Sequence, residues 1–536
     1  MSLTDPAHPT TSDQAPTASG VPASRWAIPL LGAMAAIQGA DPNIASTALV
    51  GMSRGLHMAG GMLALAASIS TLALSASVIS TGLLADRLGR RRVLMAALAV
   101  AALGDVVAGL APLPLVFLLG RVLAGIGLGA VFGASFAYIR VVTAPGRLAG
   151  AIGVFAAVCG TVTLGLTFLG GSLASSDWRL SFGVVPVVAA LCILAVRLVL
   201  PAQPPVPGGS ADVPGQLLLA LGVVAVLYGL SHLATSLTDI LTLAPLVGGL
   251  LLLALFFLRE SKNPNRFFPV SLFKSPIFIA AICAGFVYNF GTAVGFLQLT
   301  NLWQFINGLT TLEVSVWQLP FLLSGIVAAL VFGRLMTKGL SNAVTVLVGS
   351  ASVAVGFGLL AVGHGSTSLA GFLPGCMLLG AGLIITSLPY GGLIISQAPA
   401  KYYGPVTSSR TTIGQFFYAA GLALSTVLVD RITIGGAVDK LNTAGVPPTQ
   451  TGQGLDAVTA FASAGTQPST SLGKQALADA ATSYGAGFAI VMIIAAALSL
   501  LVGTIGFLLL RRHENTPTPS SGTPALVPLI PPAVHR

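Results

Sequence analysis

The sequence predicts an all-α integral membrane protein made of two six-helix bundles with two further helices inserted between them. Three observations carry this reading. Of 536 residues, 54% are hydrophobic and 7% charged, against about 25% charged in an ordinary soluble domain, too few charges to keep a soluble fold in water. Apolar runs recur from residue 26 to residue 510, each long enough to cross a hydrocarbon core of about 30 Å at about 1.5 Å per residue. The 64 glycines are spread through those runs, where small residues allow helices to approach closely.

Taken in order, residues 1–24 are rich in Pro, Ser, Thr and Ala and lack an apolar signal core. They are expected to form a disordered cytoplasmic tail and not a cleaved leader. Polar breaks then divide the chain into fourteen expected spans, at 26–50, 61–84, 93–111, 114–139, 149–173, 180–200, 215–234, 241–258, 276–300, 312–335, 342–362, 369–395, 405–429 and 485–510. The first six make an N-terminal bundle over 25–200. A proline-rich cytoplasmic linker, 201–214, closes it. Two inserted helices and a basic loop (Arg259, Lys262, Arg266, Lys274) occupy 215–275, and a C-terminal bundle occupies 276–512. Within that bundle, 430–484 reads as a long outside loop, a mobile connector with one short helix at Leu455 to Ala462. Residues 513–536 read as a second disordered cytoplasmic tail.

With both termini inside, the inside loops and tails carry nineteen Lys and Arg. The outside carries five, Arg54, Arg179, Arg431, Lys440 and Lys474, and the one left over, Arg121, lies within span 4, while Arg410 is counted with the inside set. That asymmetry orients the chain by the positive-inside rule. The net charge of +10 is dispersed over short loops, which argues for topology and against a nucleic-acid partner. Cys159, Cys192, Cys283 and Cys376 fall within spans and have neither metal nor disulfide spacing. No Walker A, His-Glu-x-x-His or Gly-x-Ser-x-Gly motif is present, so no enzyme is expected. Gly125-x-Gly127-x-Gly129 follows no strand and is no dinucleotide turn.

The densest charge in the chain is Gly82-Leu83-Leu84-Ala85-Asp86-Arg87-Leu88-Gly89-Arg90-Arg91-Arg92-Val93-Leu94, a turn bracketed by Gly82 and Gly89 between two apolar runs. It resembles the loop between helices 2 and 3 of the major facilitator superfamily, Gly-x-Leu-x-Asp-Arg-x-Gly-Arg-Arg/Lys-x-x-Leu. Further motifs are similar to those of its fourteen-helix drug:proton antiporters. Asp41-Pro42-Asn43-Ile44-Ala45-Ser46-Thr47-Ala48-Leu49 resembles Asp-x-Thr-Ile-Val-Asn-x-Ala-Leu-Pro, with Ser46 in place of the Asn and Val50 in place of the Pro. Arg121 to Ala130 resembles Arg-x-x-Gln-Gly-x-Gly-x-Ala, with Ala124 in place of the Gln. Asp177 to Phe182 keeps most of Trp-Arg-Trp-x-Phe, and Phe268 to Phe273 and Asn301 to Gln304 also resemble family segments. Span 5 has Gly170-Gly171 but lacks the Gly-Pro pair that precedes them in those antiporters.

The resemblance implies the major facilitator fold and a proton-coupled exporter of hydrophobic or cationic compounds, a multidrug efflux protein of the plasma membrane working by alternating access. It implies no cofactor beyond the proton gradient, a small-molecule substrate and membrane lipid as partners, and a monomer. The missing Gly-Pro leaves a lipid or lipid-conjugate transporter of the same fold as an alternative. A membrane binding or sensor protein that does not transport is another.

An ionisable group at mid-bilayer costs about 2.5 to 3.5 kcal/mol on insertion scales, so each must face a cavity or find a partner. Asp41, Asp105 and Arg121 all lie about 9 to 14 Å from the outer ends of their spans. They are the expected proton-coupling residues, with Asp41 and Arg121 as the pair, because helices 1 and 4 line the superfamily's cavity, and Asp105 apart from them. The structural alternatives are a cap at the Asp41-Pro42 kink, an anchor from Arg121 to carbonyls, and an interhelical hydrogen bond from Asp105. Tyr288, Asn289, Gln298, Gln304 and Tyr390 are expected to line the substrate cavity, unless they serve only helix packing. His232 and His364 are expected to be bland. Gly82, Asp86, Arg87, Gly89, Arg90 and Arg91 form the expected gating loop. Asp86 would latch onto the start of helix 13 at Gly404-Pro405-Val406-Thr407-Ser408, while Arg87 and Arg90 tie the loop to neighbouring carbonyls.

Overall fold

The structure is a computed structural model that describes residues 24–58, 60–144, 146–202, 212–233, 237–464 and 467–514. Every regular element among these residues is helical. The first bundle comprises α1 (Ala27–Gly55), α2 (Gly60–Leu88), α3 (Arg90–Gly109), α4 (Pro114–Val142), α5 (Leu148–Ser176), the single turn α6 (Trp178–Ser181) and α7 (Val184–Val199). The inserted pair is α8 (Val213–Leu233) and α9 (Ile240–Lys262). The second bundle holds α10 (Pro276–Asn301), α11 (Thr311–Trp317), α12 (Leu319–Thr337), α13 (Asn342–Val362), α14 (Leu369–Gln397), α15 (Tyr403–Thr443), α16 (Pro448–Ala464) and α17 (Ser471–Glu514). Most of the expected 201–214 linker and most of both tails lie outside the described residues.

Thirteen helical segments among the described residues are long and apolar enough to cross a membrane. The 29-residue α1 is not one of them, and its sequence gives the reason: Gln38, Asp41 and Asn43 dilute its apolar run. Span 6 becomes α6 and α7, interrupted at Phe182-Gly183. Span 10 becomes α11 and α12, interrupted at Gln318.

Two expectations are corrected. Gly82 lies inside α2, and Gly89 alone separates α2 from α3, at φ +90° where only glycine is comfortable. The turn is therefore one residue long. The expected mobile connector 430–484 is instead helical over most of its length. Helix α15 continues to Thr443, α16 covers what was expected as one short helix, and α17 begins at Ser471. No proline interrupts α15 beyond its first turn, and Gly445 at φ +79° ends the run just after it. The hairpin is held largely by small residues: Ala437, Ala476 and Ala480 are buried beside Leu441, and Gly436 lies against Ser483.

Glycine sets the helix spacing in the first bundle. A Cβ on Gly104 would overlap the backbone nitrogen of Ala124 and lie 2.7 Å from the Gly120 carbonyl. A Cβ on Gly127 would overlap the Ala101 nitrogen, and one on Gly125 the Ser70 carbonyl. Thus α4 touches α3 and α2 backbone to backbone. Against α5, a Cβ on Gly32 would lie 2.8 Å from the Phe155 carbonyl and one on Gly39 3.1 Å from Thr163 Oγ1, and the Thr163 hydroxyl donates to the Ala36 carbonyl at 3.2 Å.

Contacts between the two bundles gather on the side of the Gly89 turn. Gly153 of α5 would place a Cβ 2.5 Å from the Ala329 carbonyl of α12, and Gly150 one 2.8 Å from Thr337 Oγ1. Farther along α5, Gly165 has nothing within 4 Å. Helix α8 packs against both α2 and α15, so the inserted pair lies outside the bundles.

Replacement of Gly104 by Val cannot be relieved by a rotamer, because backbone atoms stand in the way, and overpacking of this kind costs about 1 to 3 kcal/mol or more. Gly104→Val is expected to lose most of its monodisperse peak on size-exclusion chromatography in detergent, whereas Gly165→Val keeps the parental yield.

Candidate functional site between the bundles

Arg121 lies two turns into α4, and its side chain is fully buried. Its Nη1 donates to Asp41 Oδ1 at 2.6 Å and to Asp105 Oδ1 at 2.8 Å, while Nη2 donates to Asp41 Oδ2 at 2.7 Å. The Ser70 hydroxyl donates to Asp41 Oδ2 at 3.2 Å, and the guanidinium stands over the Phe182 ring at 5.3 Å. Four helices, α1 to α4, thus converge on one cluster of two carboxylates and one cation. Arg121 Nε and Asp105 Oδ2 are buried without hydrogen-bond partners.

The expected pairing of Asp41 with Arg121 is present, in the two-pronged geometry that a planar guanidinium favours. The expectation that Asp105 stands apart is corrected. It shares the same Nη1, because Gly104 and Gly120 bring α3 against α4 just where Asp105 leaves its helix. Asp41 does not cap the Pro42 kink: α1 runs through Pro42, and the carboxylate reaches across to α4 and α2.

At the turn side, Asp86 has two partners. Its Oδ1 accepts from Arg90 Nε at 3.2 Å and Nη2 at 2.8 Å, and its Oδ2 accepts from the Gly404 backbone N–H at 2.5 Å. Gly404 is in the first turn of α15, where free N–H groups and the helix dipole favour an anion. The expected contact between Asp86 and the start of helix 13 is therefore present. Gly82 makes the approach possible, since a Cβ there would overlap Ser408 Oγ and lie 2.7 Å from the Gly404 carbonyl. Arg90 also stacks over the Tyr403 ring at 4.7 Å. So Arg90 binds a carboxylate and a ring, not the expected carbonyl. It is Arg91 that reaches a carbonyl, of Arg197 at 2.8 Å. Arg87 borders a groove of about 440 Å³ that also involves Leu84, Val93, Ile126 and Ala130, between α2, α3 and α4.

The expected cavity residues divide into two groups. Tyr390 is buried, and its hydroxyl donates to the Arg410 carbonyl at 2.5 Å. Tyr288 is half-buried on α10, and Asn289 Oδ1 would lie 2.8 Å from a Cβ on Gly414 of α15. These three surround α15 near Arg410 and Gly414. Gln298 is not among them: its Nε2 donates to Ser425 Oγ at 3.1 Å, its Oε1 accepts from Tyr484 at 3.1 Å, and it is buried as a bridge between α10, α15 and α17. Gln304 lies farther along, in a π-helical turn over Leu302–Ile306. His232 stacks on Tyr228 at 4.5 Å, and His364 Nδ1 is 2.8 Å from the Ala361 carbonyl.

Sequence reasoning missed Arg410. Counted there among the nineteen inside residues, it stands two turns into α15 with its guanidinium over Phe136 at 4.9 Å, Tyr390 at 4.8 Å and Phe132 at 5.8 Å. The available signal was its place six residues beyond Gly404-Pro405, well inside the expected span 13.

A family profile described as the Major Facilitator Superfamily matches residues 31–422. The chain belongs to the major facilitator superfamily and is a multi-pass membrane protein. It is 28% identical over 470 residues to the tetracenomycin C resistance and export protein of Streptomyces glaucescens, covering 84% of this chain and 86% of that one. It is 24% identical over 450 residues to the multidrug efflux pump LfrA of Mycolicibacterium smegmatis, covering 83% and 88%. With the puromycin resistance protein pur8 of Streptomyces alboniger it shares 27% identity over 421 residues, 77% and 82% of the two chains. Among solved structures, the human organic anion transporter MFSD10 superposes with a TM-score of 0.56 at 15% identity, covering 90% of this chain and 97% of that one. The proton:xylose symporter XylE gives 0.55 at 11% identity, covering 88% and 94%. These two likenesses establish the fold alone.

Removing the Asp86 charge removes an anion from a helix start, worth about 0.3 to 2 kcal/mol, so Asp86→Asn is expected to shift the closed-to-open ratio on the turn side by about 2- to 30-fold. Spin labels at Leu88 and Lys401, both exposed, report it as growth of a longer-distance population in pulsed electron resonance. An unchanged distance distribution would show that Asp86 latches nothing.

Proposed function

We propose that the chain is a secondary exporter of small hydrophobic, drug-like compounds across the plasma membrane, driven by inward proton movement. In this reading the turn side is cytoplasmic, α1 supplies a fourteenth span and both termini are inside. The export relatives support the direction of transport and the class of cargo. Proton coupling rests on one observation, the buried Arg121 holding Asp41 and Asp105 at once.

One guanidinium balances one carboxylate. A second ionised carboxylate in the same buried cluster leaves a net negative charge in low dielectric, which is costly. Uptake of one proton balances the cluster and releases one arm of the guanidinium, and loss of that proton draws α1, α3 and α4 together again. Since alternating access in such folds rocks one bundle against the other, a proton at this cluster alters the packing of the bundle that moves. Tyr288, Asn289 and Tyr390 would meet the cargo from the second bundle.

Uptake of a lipophilic fluorescent dye into everted membrane vesicles, with and without an uncoupler, tests the reading. Energised accumulation that collapses with the uncoupler is expected, and its absence at normal protein levels would sink the export reading. Asp41→Asn keeps the shape of the side chain but cannot exchange a proton. It is expected to reduce accumulation to the level of uncoupler-treated vesicles while dye still binds the purified protein. Parental accumulation in Asp41→Asn would remove Asp41 from coupling.

A further inference from the structure

We propose that Arg410 is a recognition site for an acidic group, a carboxylate or ionised phenol, on an otherwise flat aromatic substrate. The inference deepens the export reading and rests on it for the direction of movement only.

Arg410 is placed where the two bundles meet. Phe132 and Phe136 come from α4 of the first bundle, while Tyr390 and Ser387 come from α14 of the second. The three rings face the guanidinium with their electron-rich faces, which partly replaces water for a cation. Rings do not satisfy the in-plane N–H donors, however, which need oxygen acceptors at their edge. One of these is met: Nη2 donates to Ser387 Oγ at 3.2 Å. Nε is buried and has no hydrogen-bond partner. Among the described residues Arg410 makes no ion pair, in contrast to Arg90, Arg121 and Arg259.

A lone cation at this level of a membrane protein is costly unless something of opposite charge visits it. The side chain is half-buried and not sealed, so a visitor has access. The latch at Gly404 lies six residues earlier on the same helix, about 9 Å away along its axis, which puts Arg410 just above the closed turn side. A guanidinium presents its donors as a planar fork suited to two oxygens at once. The aromatic walls select for flat apolar bodies by stacking. A carboxylate attached to a fused-ring system meets both demands. Of the two cargo classes expected from sequence, this favours the hydrophobic one, bearing an acid. A cation would have to bind away from Arg410.

The rival explanation is a structural strap, in which Arg410 joins α4 to α14 and α15 through its ring contacts and binds no anion. A matched pair of probes separates the two. Anthracene-2-carboxylate and anthracene-2-carboxamide have the same shape and differ by the charge. Their binding is read by anthracene fluorescence on the full chain purified in detergent, for the parent, Arg410→Gln and Arg410→Lys, after size-exclusion chromatography confirms that each variant is folded. The parent is expected to bind the carboxylate at least tenfold more tightly than the amide. Arg410→Gln should erase that preference to within twofold while the amide affinity moves less than threefold. Arg410→Lys, which keeps the charge and loses the fork, should retain a reduced preference. A parental ratio near unity, a preference that survives in Arg410→Gln, or an equal loss for both probes would overturn the proposal, the last assigning Arg410 to the strap. Should Arg410→Gln not fold, the parental ratio and Arg410→Lys decide alone. Failure of dye accumulation in vesicles with the carboxylate preference intact would instead sink export and leave the anion site standing.

Discussion

The first bundle depends on a single constraint, that Arg121 must be neutralised inside the membrane. A side chain buried this fully in this conformation is cut off from bulk water and headgroups, so its partners come from neighbouring helices. Asp41 lies on α1 and Asp105 on α3, and both must meet an arginine that projects from the second turn of α4. Side chains of Asp are short, so the helices themselves have to close the distance. The glycines of α3 and α4 do this by letting backbone meet backbone at Gly104, Gly120 and Gly127. The ion cluster and the glycine seam are therefore two halves of one arrangement. An alanine in the seam would separate the charges, and a lost charge would leave the seam around an unpaired group.

The same logic operates at the turn side with different parts. Asp86 is nearly buried and is held by Arg90 on its own side and by the start of α15 on the other. The contact across the bundles is to a backbone N–H and a helix dipole, not to a second full charge. Such a contact is weak enough to break and specific enough to reform, which is what the proposed gating role would need. Again glycine permits it: Gly82 and Gly404 lie back to back.

These parts differed in how plainly the sequence displayed them. The spans were legible because hydropathy is local, and the latch because its motif and the Gly404-Pro405 helix start are both local signals. Asp105 was misjudged because its partner depends on how closely α3 approaches α4, which follows from glycines on two helices read together and not from either run alone. Segment 430–484 was read as a loop because polar, Gly- and Ser-rich sequence lacks apolar periodicity. Its helices are stabilised by small-residue contacts across a hairpin, a non-local cause. Arg410 is not legible from charge asymmetry, which places each basic residue on one side of the membrane, whereas a residue two turns inside a helix belongs to neither.

Helix α15 ties these sites together. It carries Gly404 in its first turn, Arg410 two turns on and Gly414 against Asn289 a turn later, and then continues without a break to Thr443 in the outer hairpin. The helix runs 41 residues without a break, and past its first turn it has no proline at which to kink sharply. If Arg410 holds cargo and Asp86 gates the turn side, as proposed, the two act on one helix six residues apart, and a tilt of α15 would reach both without intermediate elements.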